Sequence, residues 1–121
     1  MEITQHVKKM DALIEKGDFV SAARIFIEQK ATKLNAKDGN ASNKEDLIIQ
    51  IKDFLSDLDK IDIILHHRTL VDSFTTISEF TFGFRKDGKK IRRHLLILRV
   101  WNLDGRVIQE NYFQKTSAYC N

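Results

Sequence analysis

The chain contains no proline, a single cysteine and no long apolar run. Without proline it has no stiff proline-rich linker of the kind that spaces domains. At 121 residues, one domain spanning 1–121 is expected, long enough for a core but not for two. The lone Cys120 rules out a disulfide framework and fits a reducing compartment. No apolar stretch approaches the roughly 20 residues that a spanning helix needs. The polar–apolar alternation of the first turn is unlike a signal peptide. The expectation is a soluble cytoplasmic protein with no membrane partner. Repeats and low-complexity tracts are also missing.

The chain does hold an ordinary globular composition, 42% hydrophobic and 31% charged, with a formal net charge of +3. Its first half reads as helical. Ile3, Val7, Met10 and Ile14 recur at helical spacing, and Gly17 stands where a left-handed residue closes the helix. Asp18 is placed to cap a second helix with Phe19, Ala22, Ala23 and Phe26 on its inner face. Thr32 to Ala36 is a candidate short strand, and Ala36 to Asn43 reads as a loop. Ser42 and Glu45 form an S-x-x-E capping box opening a third helix, with Leu47, Ile51, Phe54, Leu55 and Leu58 as its buried stripe.

From Lys60 to Lys115 the pattern changes to alternating strands joined by turns. Asp87-Gly88 and Asp104-Gly105 supply the positive φ angles of tight hairpins. A two-residue turn at Asp87-Gly88 sets Phe84 opposite Ile91, Phe82 opposite Arg93, Phe80 opposite Leu95, Ser78 opposite Ile97 and Thr76 opposite Arg99. A weaker turn at Asp72-Ser73 sets Thr69 opposite Thr76, His67 opposite Ser78 and Leu65 opposite Phe80. The turn at Asp104-Gly105 sets Trp101 opposite Ile108, Arg99 opposite Glu110 and Ile97 opposite Tyr112. One face then collects Ile63, Leu65, Phe74, Phe80, Phe82, Phe84, Leu95, Ile97, Trp101 and Ile108, and the helices should pack there.

Two polar rows interrupt that face: His67, Ser78, Ile97, Tyr112 and Thr69, Thr76, Arg99, Glu110. An apolar cavity with a few convergent polar groups is the usual make-up of a small-molecule site. His67 and Glu110 are the candidate acid and base. Arg99 is suited to an anionic or enolate-like oxygen, and Tyr112 or Ser78 to a carbonyl. Thr76, Phe80 and Trp101 complete the expected ligand-binding set. The same residues also have a plainer reading, with Arg99 and Glu110 as a structural ion pair and His67 as a hydrogen-bonded core residue.

On the opposite face, His66 is set against Glu79 with Ile64, Ile77, Leu96, Leu98 and Val100 nearby. A strand apolar on both sides needs cover on both, so a homodimer through this face is expected. His66-His67 is no metal pair, because adjacent strand residues point to opposite faces, and neither His94 nor Cys120 adds a ligand spacing. No metal and no cofactor are expected. The basic run Arg85 to Arg93, with six positive charges and one negative, sits at a hairpin tip without an aromatic platform. It suits electrostatic steering of an anionic ligand better than nucleic-acid binding.

The order helix, Gly-Asp, helix, loop, helix and long meander resembles the nuclear transport factor 2-like superfamily, which includes SnoaL-like cyclases and ketosteroid isomerases. The matching pieces are KGDFVSAARIF (Lys16 to Phe26), FTFGFRKDGKKI (Phe80 to Ile91) and VWNLDGRVI (Val100 to Ile108). The resemblance implies an α+β fold, cone-shaped, with three N-terminal helices packed on a curved, mainly antiparallel sheet enclosing a pocket. It also implies frequent homodimers. The isomerase chemistry does not carry over. The positions equivalent to its catalytic tyrosine and aspartates are Met10, Leu34 or Asn35, and Ile97, and none can do the corresponding job. Two functions therefore stand side by side. One is a pocket for a largely apolar ligand with a polar or anionic group, belonging either to an enzyme of cofactor-free acid–base chemistry or to a non-catalytic binder. The other is an association module whose cavity is filled by its own side chains.

Overall fold

The computed structural model describes residues 3–31, 33–36, 39–41 and 43–114. Helix α1 (Ile3–Glu15) buries Ile3, Val7, Met10 and Ile14, as its spacing dictates, together with Asp11. Gly17 closes it at φ +86°. Helix α2 (Phe19–Phe26) starts after Asp18, whose carbonyl accepts from the Ala22 N–H at 3.0 Å; the Asp18 side chain makes no cap bond.

Strands β1 (Lys33–Ala36) and β2 (Gly39–Ala41) pair antiparallel, so the segment expected to be loop contains a strand. That strand is short and polar, and its ladder partner, not its own propensity, supports it. Helix α3 (Lys44–Ser56) opens with Asn43 as its cap, the side chain accepting from Asp46 N–H at 2.8 Å. The expected capping residue Ser42 and the lone Cys120 lie outside the described residues. Ile48 is buried beside Leu47, whereas Phe54 is 43% exposed.

Strands β3 (Lys60–Asp72), β4 (Thr75–Lys86), β5 (Lys89–Trp101) and β6 (Val107–Gln114) complete a six-stranded sheet of order β2-β1-β6-β5-β4-β3. Among the described strands, the β1–β6 pair is parallel and the other pairs are antiparallel. The result is a curved, unclosed, mostly antiparallel sheet with three helices, an α+β cone. No helix among the described residues is long and apolar enough to cross a membrane.

The β4–β5 register follows the Asp87-Gly88 hairpin as expected, from Lys86 opposite Lys89 to Thr76 opposite Arg99. Asp87 and Gly88 both carry positive φ, the type I′ requirement. The other two hairpins differ from expectation. The β3–β4 loop is Ser73-Phe74, not Asp72-Ser73, with Ser73 at φ 55° and Asp72 opposite Thr75. Thr69 therefore opposes Ser78, and Val71 opposes Thr76.

Strand β3 also carries two bulges, with His67 and Asp62 as the extra residues. Each extra residue turns the preceding side chains to the other face. His66 opposes Phe80 on the concave face, and Ile64 opposes Phe82, while Ile63 and Leu65 point outward with Gly83 and Thr81. The expected inward placement of Ile63, Leu65 and His67 is corrected on this ground, as is the outward placement of His66 and Ile64. Glu79 instead meets Arg68 on the outer face, at 2.8 Å. Between β5 and β6, Arg99 opposes Glu110 and Ile97 opposes Tyr112 as expected, but a further bulge sets Val107, not Ile108, opposite Trp101. Val107 is fully buried and Ile108 is 39% exposed.

Candidate functional site

Behind the apolar core of the cone lies a sealed polar layer. Arg99 is fully buried, and its guanidinium lies between two carboxylates. Nη1 donates to Asp11 Oδ1 at 2.9 Å, and Nε donates to Glu110 Oε2 at 3.1 Å. Burial works against the Arg99 charge, but Glu110 and Asp11 outweigh it and hold the guanidinium above its ordinary pKa. Asp11 Oδ2 accepts the hydroxyl protons of Thr69 at 2.6 Å and Ser78 at 2.9 Å. Ser78 Oγ in turn accepts from Arg99 Nη1 at 3.2 Å. With its proton given to Asp11, Thr69 is an acceptor for the His66 Nε2–H, 2.7 Å away. Thr76 accepts from the Trp101 indole N–H at 2.9 Å. Phe80, wholly buried, stacks on Phe82 with centroids 5.4 Å apart and meets the His66 ring at a tilt, 4.9 Å away.

In front of this layer is a cavity of about 560 Å³. Met10 and Ile14 of α1, Ala22 and Ala23 of α2, and Leu47 and Ile51 of α3 line one side. Phe82, Phe84, Ile91, Leu95 and Ile97 of the sheet line the other. The two alanines leave space that larger side chains would occupy, and the exposed Phe54 stands at the opening because α3 faces a cavity there and not solid core. Glu110 and Tyr112 bring polar groups to the floor, Arg93 to the wall, and the exposed Lys86, Asp53 and Asp57 to the rim.

The Tyr112 phenol lies beside the Glu110 carboxylate. Burial, followed by the Glu110 charge, pushes this phenol well above its ordinary pKa, with Arg99 opposing only in part. Glu110 thus accepts from Arg99 on one side and faces Tyr112 on the other, and connects the sealed layer to the cavity. Chemically, the floor offers a hydrogen-bond acceptor next to a donor that stays protonated.

The sequence-derived candidates therefore separate into three groups. Glu110 and Tyr112 line the cavity. Thr76, Ser78, Phe80, Arg99 and Trp101 are buried behind it with partners of their own. His67, displaced by the bulge, lies on the outer face, where Nε2 is 2.7 Å from Thr81 Oγ1 and the ring lies tilted against His94 with centroids 5.2 Å apart.

Two residues escaped the sequence reading although their signals were present. Asp11 occupies the i+4 position of the Val7, Met10, Asp11, Ile14 stripe, where a carboxylate must find a buried partner. Arg93 opposes Phe82 within the aromatic rows. Among the described residues, no three His, Cys, Asp or Glu side chains converge as a metal site.

No protein-family model matches the sequence. No curated protein matches it either. Solved structures do match in shape. A protein assigned as a SnoaL-like polyketide cyclase from Mesorhizobium loti is 17% identical, with a TM-score of 0.80 over 93% of this chain and 99% of that one. A nuclear transport factor 2-like protein of unknown function from Burkholderia pseudomallei is 9% identical, with a TM-score of 0.78 over 95% and 92%. A protein assigned as a SnoaL-like polyketide cyclase from Jannaschia is 13% identical, with a TM-score of 0.75 over 93% and 86%.

Proposed function

Taking the nuclear transport factor 2-like fold of this chain as its premise, we propose that the protein binds a largely apolar small molecule in its cone and engages a polar group of that molecule with Glu110 and Tyr112. The observation that carries this reading is the open cavity itself. About 560 Å³ lies in the range of ligand sites, and its walls are apolar with polar groups at few places. In the free protein the Tyr112 phenol and the Glu110 carboxylate are neighbours in the cavity wall. A ligand hydroxyl inserted between them donates to Glu110 and accepts from Tyr112. If the bound group is a carbon acid or an enol, the same pair moves a proton without a cofactor, Glu110 as base and the phenol as donor to the developing oxyanion. The anion-binding role expected of Arg99 is not part of this proposal, because both of its carboxylate partners already hold it and no solvent reaches it. The size of the cavity also counts against an association module packed solid with its own aromatic side chains.

Titration with the fluorescent probe 1-anilinonaphthalene-8-sulfonate tests the reading. Saturable one-to-one binding is expected, weakened at least tenfold by Ile51→Trp, which reduces the cavity from its half-exposed α3 wall. Absence of saturable binding, or affinity unchanged in a variant with intact circular dichroism, would overturn it.

The outer sheet face supports a second proposal, a homodimer. Leu65 and Phe113 are 41% and 52% exposed there, beside half-buried Ile77, Leu96 and Leu98. Joined copies would cover these side chains, and a cytoplasmic setting fits the single cysteine. Sedimentation velocity at micromolar concentration should return a dimer that Phe113→Asp dissociates; a wild-type monomer would end the idea.

A further inference from the structure

Arg93 is the one cavity-wall position of β5 that is not apolar, between Ile91 and Leu95 on the inward face and opposite Phe82. Its Nε–H is closed off from solvent and has no acceptor. Its Nη1 donates only to the neighbouring Arg92 carbonyl, at 3.0 Å. No carboxylate among the described residues pairs with it, whereas Arg85 of the same hairpin is held by Asp62 at 3.2 Å. A guanidinium half withdrawn from water, on a side chain that lines an apolar cavity and has no carboxylate partner among the described residues, matches the fork that binds a carboxylate or a phosphate monoester. We infer that Arg93 binds the anionic end of an elongated amphipathic ligand whose apolar body fills the cavity, an inference that rests on the ligand-binding reading above.

The geometry also sets the length of that ligand. Arg93 lies four residues along β5 from Ile97, which opposes Tyr112. At about 3.3 Å per residue, the anion site and the Glu110–Tyr112 floor are about 13 Å apart along the strand. One ligand can therefore reach both, its anion near the mouth and a polar group at the floor. The floor itself suits no anion, because Glu110 already places a carboxylate there. At the rim, Asp53 and Asp57 are exposed and screened by water, while Lys86 lines the cavity on the same side as Arg93. Lys86 and Arg93 of the basic hairpin line the cavity, and the net positive charge of the hairpin draws anions toward it.

Isothermal calorimetry with decanoate and decan-1-ol at pH 7.5, below micelle formation, reads the anion alone, since the two probes share one apolar chain. In the wild type, decanoate should bind at least tenfold more tightly than decanol. Arg93→Met should bring the two to parity by weakening decanoate only, and Arg93→Lys should keep part of the preference. Equal affinity of the two probes for the wild type would overturn the Arg93 assignment and leave the cavity reading standing. Decanoate preference that survives in Arg93→Met would overturn it as well. If neither probe binds, both readings fall together.

Discussion

Arg99 Nε donates to Glu110 Oε2 at 3.1 Å across the β5–β6 ladder, and through that bond the floor of the cavity is fastened to the sealed polar layer. Arg99 is also bonded to Asp11 of α1, so one side chain locks helix, sheet and floor together.

Replacing Arg99 by methionine should be severely destabilising. It would leave Asp11 and Glu110 as buried carboxylates, 2% exposed each, without their cation. Breaking a buried pair in this way costs about 3–5 kcal/mol. Urea unfolding of Arg99→Met and of Arg99→Met combined with Asp11→Asn measures it. The double variant should recover part of the loss, and strict additivity would contradict the coupling.

Tyr112 should shape the alkaline limb of stability. Its folded-state pKa is raised above the unfolded value near 10, so the folded state holds the phenolic proton more tightly. Its contribution is complete below about pH 10 and is lost as pH rises from there through the folded value. Tyr112→Phe should therefore lose less stability than the wild type between about pH 9 and 11. Absorbance titration near 295 nm should show one tyrosinate appearing late in the wild type and missing in the variant. Superimposable pH–stability curves would contradict this account.

Thr76→Val should leave the Trp101 indole N–H without its acceptor inside the core. An unsatisfied buried donor costs about 1–3 kcal/mol. Trp101 is the chain's single tryptophan, so its fluorescence reports on this contact directly. The expected result is a lower unfolding midpoint with a shifted emission maximum; emission identical to wild type would show that the hydrogen bond is not made in solution.

Gly83→Ala tests the bulge at Asp62. A Cβ on Gly83 would lie 2.8 Å from Ile63 Cγ2, so about 1–3 kcal/mol of overpacking is expected. Ile63→Ala in the same chain should relieve most of it. If Gly83→Ala alone were as stable as wild type, the close approach of β3 and β4 would be wrong.

The features legible in the sequence are those with a local cause. Val7, Met10 and Ile14 lie on one helical face because 3.6 residues make a turn, and Asp87-Gly88 admits positive φ at both hairpin positions. From those two facts follow α1, the β4–β5 register and the pairing of Thr76 with Arg99, and the Asp104-Gly105 turn adds Glu110 to that row. The Arg93 position is equally readable, since it follows from the same hairpin.

The identity of the inward-facing histidine was decided only by tertiary structure. His66 and His67 are neighbours of the same chemistry, and no local propensity separates them. The bulge that turns His66 inward is held by α1, whose Glu15 carboxylate accepts the His66 backbone N–H at 3.1 Å and whose Asp11 collects Thr69 and Ser78 beside it. These partners lie 51 to 67 residues away in the chain. Alternation and turn chemistry are properties of adjacent residues. The seat of a bulge, and with it the division between sealed layer and open cavity, depends on side chains brought together only when helix and sheet have packed.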